Sequence, residues 1–361
     1  MALSTYGTNH ALAVRFWAKK LAAEALRKTF FSDLIGRSTD SVIVRRDEMK
    51  EAGDRVTVGL RAQLTGAGVS GDGTLEGNEE ALATYGDTLL IDQLRNGVRS
   101  AGRMSEQRVL FDFREEAKAG LSDWIADRWD TSYFNQICGF TTQGDTRYTG
   151  NNAVIAPDSS HIYRPNAKST DESLTTGDEF NLGIIDLLVA RAAQFTTAAG
   201  SGVPIRPATF NGQKKWIMFL HDYQAYQLRT NGAAGSWIDY QKALVQGGVT
   251  DTALFKGGYL LGEYNGVLLV KAPRITNGVH STTGNAVANV RRAVLVGAQS
   301  AMFALGSYSS NEAKMFEWVE EDFDYGNQRG IEVGSIFGCK KTRFNGQDFA
   351  TIVASTYSPA P

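Results

Sequence analysis

The chain has 361 residues, of which 42% are hydrophobic and 21% charged, and its formal net charge is -2. Chains above ~250–300 residues usually divide into more than one core, so we expect two lobes with extensions. A nearly neutral chain is not an electrostatic binder of nucleic acid, two cysteines cannot form a disulfide framework, and no apolar run reaches the ~18 residues of a membrane span.

The N-terminal residues lack the layout of a signal peptide. Apolar side chains recur at helical spacing between residues 9 and 28, after Thr8 or Asn9, which can cap a helix. Residues 1–50 carry nine Lys or Arg against five Asp or Glu. This basic surplus has three open interpretations: a contact with nucleic acid, a solvated helix face, or a partner for an acidic strand elsewhere.

Residues 53–102 predict an extended β-hairpin loop. From Arg55 to Leu64 polar and apolar residues alternate strictly, which indicates a strand with one apolar face. Residues 66–80 contain five glycines and few bulky side chains, and an apolar stretch follows. A long two-stranded arm with a loose tip suits a subunit that reaches over its neighbour, so we expect residues 56–98 to lie over an adjacent subunit.

A long amphipathic helix is predicted from Arg103 to Cys138. Its apolar side chains recur every three or four residues, along one seam that includes Leu121 and a second that includes Trp129. About 35 residues at 1.5 Å per residue would form a rod of about 50 Å. A polar stretch rich in Thr, Asn, Gly, Ser and Asp follows Gly139 and predicts either a long surface excursion or a lobe boundary.

The remainder mixes helices and strands without a regular βαβ repeat, so the predicted fold class is α+β. Residues 180–195, 222–229 and 298–305 are predicted to be helical. Asn265-Gly266 and Asn345-Gly346 predict tight hairpin turns. Strands are predicted at residues 41–45, 216–220, 293–296, 315–319, 330–344 and 350–357.

One motif has the letters of a dinucleotide-binding loop, Gly66-Ala-Gly68-Val-Ser-Gly71. That chemistry needs a helix directly after the third glycine, to receive the pyrophosphate. Residues 72–78 are a poor helix start, so we favour a flexible tip between two strands.

The other candidate chemistry is equally sparse. The four histidines lack metal-ligand spacing, and His221 beside Asp222 is interpreted as the link between a strand end and a helix start. Cys138 and Cys339 are expected to be small buried hydrophobic residues in a reducing compartment. The acidic run from Glu317 to Asp324 favours a solvated or subunit-facing strand edge over a cation site. We therefore expect no catalysis, no cofactor and no metal site.

Several sequence blocks nevertheless resemble, in content and order, a known family. They are Arg103 to Gly139, Phe219-Leu220-His221 followed by Leu228-Arg229 and Trp237, residues 255–267, residues 297–301, residues 324–327 and residues 340–344. The family is the tailed-bacteriophage major capsid proteins of the Hong Kong 97 fold, in particular the coat proteins typified by podoviruses that package a virion RNA polymerase. One departure is Asp222, where relatives often carry proline after the histidine.

The resemblance implies an α+β Hong Kong 97-type fold with an N-terminal arm, an extended β-hairpin loop (E-loop), a long spine helix, a peripheral (P) domain and an axial (A) domain. It assigns residues 1–52 to the arm, 53–102 to the E-loop, 103–178 to the spine helix and peripheral elements, 179–300 mainly to the axial domain and 301–361 to returning peripheral strands. The implied function is a structural major capsid protein. It would assemble as pentamers and hexamers into an icosahedral head around double-stranded DNA.

The implied partners are many copies of the chain itself, with possible scaffold, portal and decoration proteins and packaged DNA contacted non-specifically at the inner face, but no membrane. The implied location is the virion capsid, and the host cytoplasm during assembly. The alternatives are an encapsulin-like shell of a cellular nanocompartment and, more distantly, a nucleotide-binding enzyme that uses Gly66 to Gly71. The candidate inter-subunit contacts are Arg55, Arg61, Gly66, Gly68, Gly71, Gly73, Glu76, Glu79, Glu80, Glu317, Glu320 and Glu321.

Overall fold

Two β-sheets and a long helix that packs against both make up most of the described chain. A computed structural model describes residues 18, 20–21, 24–47, 54–61, 67–81, 84–108, 112–195, 204–210, 212–230, 237, 259–308 and 316–361, with only the backbone at 47, 60 and 61. The α-helices in these ranges are Arg103–Gln107, Phe113–Cys138, Thr146–Thr149, Leu182–Gln194 and Asp222–Thr230, and residues 24–28 are also helical. Short 3-10 helices are Ser32–Leu34, Pro165–Ala167 and Asp171–Ser173.

The strands are numbered in chain order. They are β1 (Ile35–Gly36), β2 (Ile43–Asp47), β3 (Arg55–Arg61), β4 (Thr84–Leu90), β5 (Asp92–Arg99), β6 (Ile162–Tyr163), β7 (Ala208–Phe210), β8 (Gln213–Leu220), β9 (Leu260–Tyr264), β10 (Val267–Lys271), β11 (Asn277–Val279), β12 (Ala286–Val296), β13 (Ala301–Leu305), β14 (Phe316–Phe323), β15 (Gln328–Lys341), β16 (Arg343–Phe344), β17 (Gln347–Asp348) and β18 (Thr351–Tyr357).

The six-stranded sheet is built around β15. Successive parts of β15 pair antiparallel with β14 and β13, and β5 pairs along the opposite edge of β15, from Gly330↔Arg99 to Phe337↔Asp92. Parallel pairing then continues from β13 to β2 and β1. Because β5 belongs to a sheet of its own chain, the expectation that all of residues 56–98 lie over a neighbour is wrong.

The eight-stranded sheet has the order β6-β18-β12-β8-β10-β9, with β11 beside β12 and β7 beside β8. Its β9–β10 hairpin turns at Asn265 and Gly266, whose φ angles are 49° and 72°. A turn with positive φ at both central residues fits the right-handed twist of paired strands, and Asn-Gly adopts it at low cost. The hairpin predicted at this site is therefore confirmed.

Alternate residues of the eight-stranded sheet face two different cores. Phe219 and Val294 belong to the core that contains the long helix, whereas Met218 and Leu295 belong to the core under the Leu182–Gln194 helix. Both faces of this sheet are thus buried, which explains its nearly continuous apolar runs. On the long helix, the first predicted seam packs Leu121 into the core and the second packs Trp129 there.

Two predictions about elements were wrong. The long helix does not run from Arg103, because Asp112 is extended (φ -77°, ψ 117°) and its side chain accepts a hydrogen bond from Arg114 N, which starts a new helix. The 26 residues from Phe113 therefore span about 39 Å rather than 50 Å. Residues 301–305 are a strand, since they lie between β2 and β15 with all five side chains buried.

The polar stretch after Gly139 is not a surface excursion, because much of it packs against the end of the long helix. Thr149 is 2% exposed, and His161 and Asp171 are fully buried. Gln136 Nε2 donates to the carbonyl oxygens of Thr149 at 2.7 Å and Asn152 at 2.9 Å. Polar residues near the C-terminus of the helix thus satisfy the backbone of this stretch, where water would otherwise be needed.

Candidate inter-subunit surfaces

The predicted arm is a regular two-stranded hairpin. β3 and β4 pair antiparallel, from Arg55↔Leu90 to Arg61↔Thr84. Val56 is buried while Arg55 and Thr57 are exposed, so the alternation read from the sequence is confirmed where side chains are described. The arm thus has an apolar face at its root and a polar face on the other side.

Apolar contacts fix the root of the hairpin on the six-stranded sheet of its own chain. Val56 and Leu89 pack with Met302 and Ala304 of β13, on the sheet face turned away from the long helix. Leu90 N donates to Asn152 Oδ1 at 2.9 Å and Asn152 Nδ2 donates to Leu90 O at 3.0 Å. The amide of Asn152 therefore satisfies the backbone of β4 as a neighbouring strand would. No local pattern in the sequence marks Asn152.

A buried carboxylate adds a second attachment to the root. Asp87 accepts hydrogen bonds from Lys340 Nζ and from Arg343 N, the latter at 2.9 Å. Lys340 Nζ also donates to Thr88 O at 2.9 Å. Charged groups that are mostly removed from water hold the hairpin at a fixed position through charge-assisted bonds.

The described residues of the hairpin tip lie at the surface. Residues 67–81 are all exposed and contain no helix. Gly68 and Gly71 have φ angles of 69° and 63°, which glycine adopts without strain. A phosphate loop needs a helix N-terminus after its third glycine, so the dinucleotide-binding alternative is not supported by this geometry.

Of the other predicted tip contacts, Gly73, Glu76, Glu79 and Glu80 are exposed. Glu79 Oε2 accepts a hydrogen bond from Gly77 N at 2.7 Å, which shapes the turn. Gly66 and the side chain of Arg61 lie outside the described residues.

The acidic strand β14 divides its carboxylates between two faces. Glu317 and Glu321 are exposed, as expected of a subunit-facing edge. Glu320 is only 2% exposed, and it accepts hydrogen bonds from Arg114 Nη2 at 2.6 Å and Trp318 Nε1 at 2.9 Å. Glu320 is therefore a buried link to the start of the long helix, and its prediction as an inter-subunit contact is wrong.

A groove crosses the six-stranded sheet on the face turned away from the long helix. Gly97 and Gly330 line its floor, where larger side chains would fill it. Charged residues line its sides: Arg95, Arg99, Glu321 and Glu332. Phe323 closes one end, with the Arg99 guanidinium 4.1 Å from the centre of its ring. Sequence analysis missed this groove because its residues come from three strands.

The basic N-terminal segment pairs with the long helix where it is described. Lys28 Nζ lies 2.9 Å from Glu24 and 2.7 Å from Asp123, and Lys118 Nζ lies 2.9 Å from Glu24. For Lys28, the three open interpretations thus give way to a fourth, an ion pair within the chain.

The described residues offer little chemistry. They contain no group of three or more side chains arranged to hold a metal ion, and no helix among them is long and apolar enough to cross a membrane. His221 Nδ1 accepts a hydrogen bond from Tyr223 N at 3.1 Å, which confirms its place at a helix start. Burial, with Arg291 nearby, lowers the pKa of His221 to about 4. Cys138 and Cys339 are buried free thiols.

With its rooted hairpin, long helix and two sheets, the chain matches the structures of phage capsids and so belongs to the shell proteins of the Hong Kong 97 fold. The capsid of Ralstonia phage GP4 matches with a TM-score of 0.77 and 28% identity, over 100% of this chain and 96% of that chain. The capsid of Cyanophage Pam1 matches with a TM-score of 0.68 and 17% identity, over 93% and 94% of the two chains, and so shows the fold.

The family follows from the sequence comparison. The profile described as Phage capsid protein matches residues 5–360, so the chain belongs to that family. It is 27% identical over 371 residues to the major capsid protein of Pseudomonas phage KPP25, with 93% of both chains covered. The chain is thus a phage major capsid protein with a structural role.

Proposed function

We propose that copies of this chain assemble as pentamers and hexamers into an icosahedral phage head that encloses double-stranded DNA. The observation that carries the proposal is the hairpin, whose root is fixed on its own sheet while every described tip residue is exposed. A rigid root with an exposed tip gains nothing for the isolated chain. It gains contact area when a neighbouring copy lies beneath it.

The surface that receives the hairpin is the groove and acidic edge of a neighbouring six-stranded sheet. Arg55 lies on the polar face of the hairpin with a side chain 69% exposed, and Glu317 and Glu321 are exposed on β14. The acidic residues of the tip need positively charged partners, and Arg95 and Arg99 on the sides of the groove supply them. Complementary charges of this kind align two copies and exclude wrong registers.

Individually weak contacts suffice because a closed shell repeats them. Each subunit of a symmetric shell makes the same few contacts with its neighbours, and contacts within an assembly benefit from a high effective concentration. Scaffold, portal and decoration proteins, non-specific DNA contact at the inner face, and assembly in the host cytoplasm complete the proposal. The family match favours a phage head over a nanocompartment shell.

Electron microscopy tests the proposed assembly. Purified protein is imaged by negative stain over a range of salt and protein concentrations, and particles from infected cells are analysed for this chain and for nuclease-resistant DNA. Closed shells or ring-shaped capsomers, and virions that contain both the chain and double-stranded DNA, are expected. A chain that stays monomeric under every condition and is absent from virions would contradict the proposal, and shells that enclose an enzyme cargo would point to a nanocompartment.

A further inference from the structure

Two aromatic residues, Phe30 and Phe31, attach the N-terminal segment to the long helix. Phe31 is fully buried, and its ring centre lies 5.1 Å from that of Tyr133. The ring of Phe30 lies 5.7 Å from Phe134 and 5.2 Å from Tyr259. Residues 30 and 31 therefore join three parts of the chain: the segment that begins the described structure, the long helix, and the start of β9.

A carboxylate of the long helix, Asp130, accepts a hydrogen bond from the backbone of Phe30. Phe30 N lies 3.0 Å from Asp130 Oδ1 and 3.1 Å from Oδ2, so its N–H donates to both oxygens. The Asp130 side chain is only 6% exposed, and Arg274 Nη1 lies 3.7 Å from its Oδ2. Arg274 makes its close ion pair with Asp127 instead, at 2.7 Å. Asp130 is thus a buried carboxylate with backbone donors and only a distant, shared cation.

The cleft around Asp130 contains the charged groups that surround its carboxylate. Its N-terminal side carries Arg27, Lys28 and Asp33, the opposite side carries Tyr259 and Arg274, and Asp127 lies one turn earlier on the helix of Asp130. Lys28 is already paired with Glu24 and Asp123. Asp130 therefore lacks a dedicated counterion among the described residues, and burial dominates its ionisation.

We propose that a proton on Asp130 controls how firmly the N-terminal segment is attached to the long helix, with firmer attachment in acid. Burial raises the pKa of Asp130 from 3.8 to about 7, against the opposing effects of Phe30 N–H and Arg274. When the segment detaches, water reaches the carboxyl group, and its pKa returns towards the ordinary value.

The sign of the effect follows from proton linkage. Between about pH 4 and pH 7 the attached state binds more protons than the detached state, so falling pH favours attachment and rising pH weakens it. Above about pH 7 both states are ionised and the dependence levels off. The proposed pH dependence is a property of the isolated subunit. It can therefore be absent although the chain assembles into shells, and it can be present although the chain does not.

Hydrogen exchange of the purified subunit measures the attachment directly. Protection factors of amides 30–34, corrected for intrinsic exchange, are measured from pH 5.5 to 8.5. Protection should fall as pH rises to about 7, by up to about tenfold per pH unit, and then level off. A flat profile across this range would overturn the proposal.

Three variants separate a proton-controlled role from a merely structural one. Asp130→Asn keeps an acceptor oxygen for Phe30 N–H but cannot ionise, so its profile should be flat. Asp127→Asn releases Arg274 towards Asp130 and should move the levelling point to lower pH, whereas Arg274→Gln should move it to higher pH. A slope that persists in Asp130→Asn would overturn the proposal. If that variant does not fold, the opposite shifts of the other two decide, and their absence would overturn it.

Discussion

The backbone of Gly338 lies directly beneath the carbonyl oxygen of Leu90, so that a Cβ atom built at position 338 would lie 2.2 Å from that oxygen. This close approach lets the end of the hairpin cross the face of β15. It joins the apolar contacts of Val56 and Leu89 and the bonds of Asp87 in fixing the root.

Replacing Gly338 by alanine should therefore loosen the hairpin root. The clash is with backbone, which cannot rotate away, and overpacking of this kind costs about 1–3 kcal/mol. We expect a lower unfolding midpoint and faster hydrogen exchange in residues 84–91. Gly86→Ala, in the hairpin that crosses Gly338, is the matched control, because its Cβ would lie 3.8 Å from the nearest atom. Equal behaviour of the two variants would show that the close approach has no role in holding the root.

Arg292 and Asp171 form the second interaction that merits a test. Arg292 donates to Asp171 Oδ2 through Nε at 3.0 Å and Nη2 at 2.8 Å, and to Gly139 O at 2.8 Å. Burial acts to raise the pKa of Asp171, but Arg292 and Arg164 outweigh it, so the pKa is lowered. Arg292 in β12 thus joins the short helix Asp171–Ser173, through the ion pair, to the end of the long helix, through Gly139 O.

Arg292→Met should leave Asp171 buried with one cation fewer and lower the stability by about 3 kcal/mol. Arg329→Met serves as the control, since its pair with Asp322 has side chains 38% and 40% exposed, and such pairs contribute below about 1 kcal/mol. Urea unfolding followed by circular dichroism measures both. A midpoint for Arg292→Met that matches the control would contradict a stabilising role of the pair.

Neighbouring positions on the long helix should respond in opposite directions. Leu121 is 2% exposed, so Leu121→Asp should cost several kcal/mol, because an unpaired charge would be buried. At Gly120 an added Cβ would meet no atom within 4 Å, so Gly120→Ala should add about 1 kcal/mol through helix propensity. Melting temperatures measure both changes. An unchanged melting temperature for Leu121→Asp would mean that this face does not support the core.

Charge reversal tests the proposed contact between hairpin and acidic edge. Arg55→Glu and Glu321→Arg should each weaken assembly, by up to about fivefold in the contact equilibrium for ~1 kcal/mol, while the combined variant should recover it. Both side chains are exposed, so the melting temperature of the subunit should stay the same. Light scattering during assembly gives the comparison. If the combined variant loses as much assembly as the two single variants together, Arg55 and Glu321 do not contact each other.

Local patterns predicted the elements that local physics decides. The Asn265-Gly266 turn needs only two residues that accept positive φ, and the seam through Leu121 and Trp129 needs only helical spacing, so both could be read from the sequence. The strand at residues 301–305 could not, because Ala-Met-Phe-Ala-Leu suits a helix and only its neighbours β2 and β15 make it a strand.

The candidate surfaces were harder to predict for the same reason. The exposed tip followed from its glycines, but Asn152 and the groove at Gly97 depend on strands far apart in the chain. Glu320 looked like Glu317 and Glu321 in the acidic run, and its charge partner in the buried site, Arg114, lies 206 residues earlier. Contacts between distant segments leave no periodic signal in a single sequence.

Removing the tip tests the central claim most directly. A chain without residues 67–77 is compared with the unaltered chain by sedimentation velocity and negative-stain electron microscopy, under conditions in which the unaltered chain forms shells. The tip lies apart from the described core, so the shortened subunit should keep its melting temperature, yet it should remain as subunits or small oligomers. Shells equal in number and size to those of the unaltered chain would contradict the claim that this hairpin joins one subunit to the next.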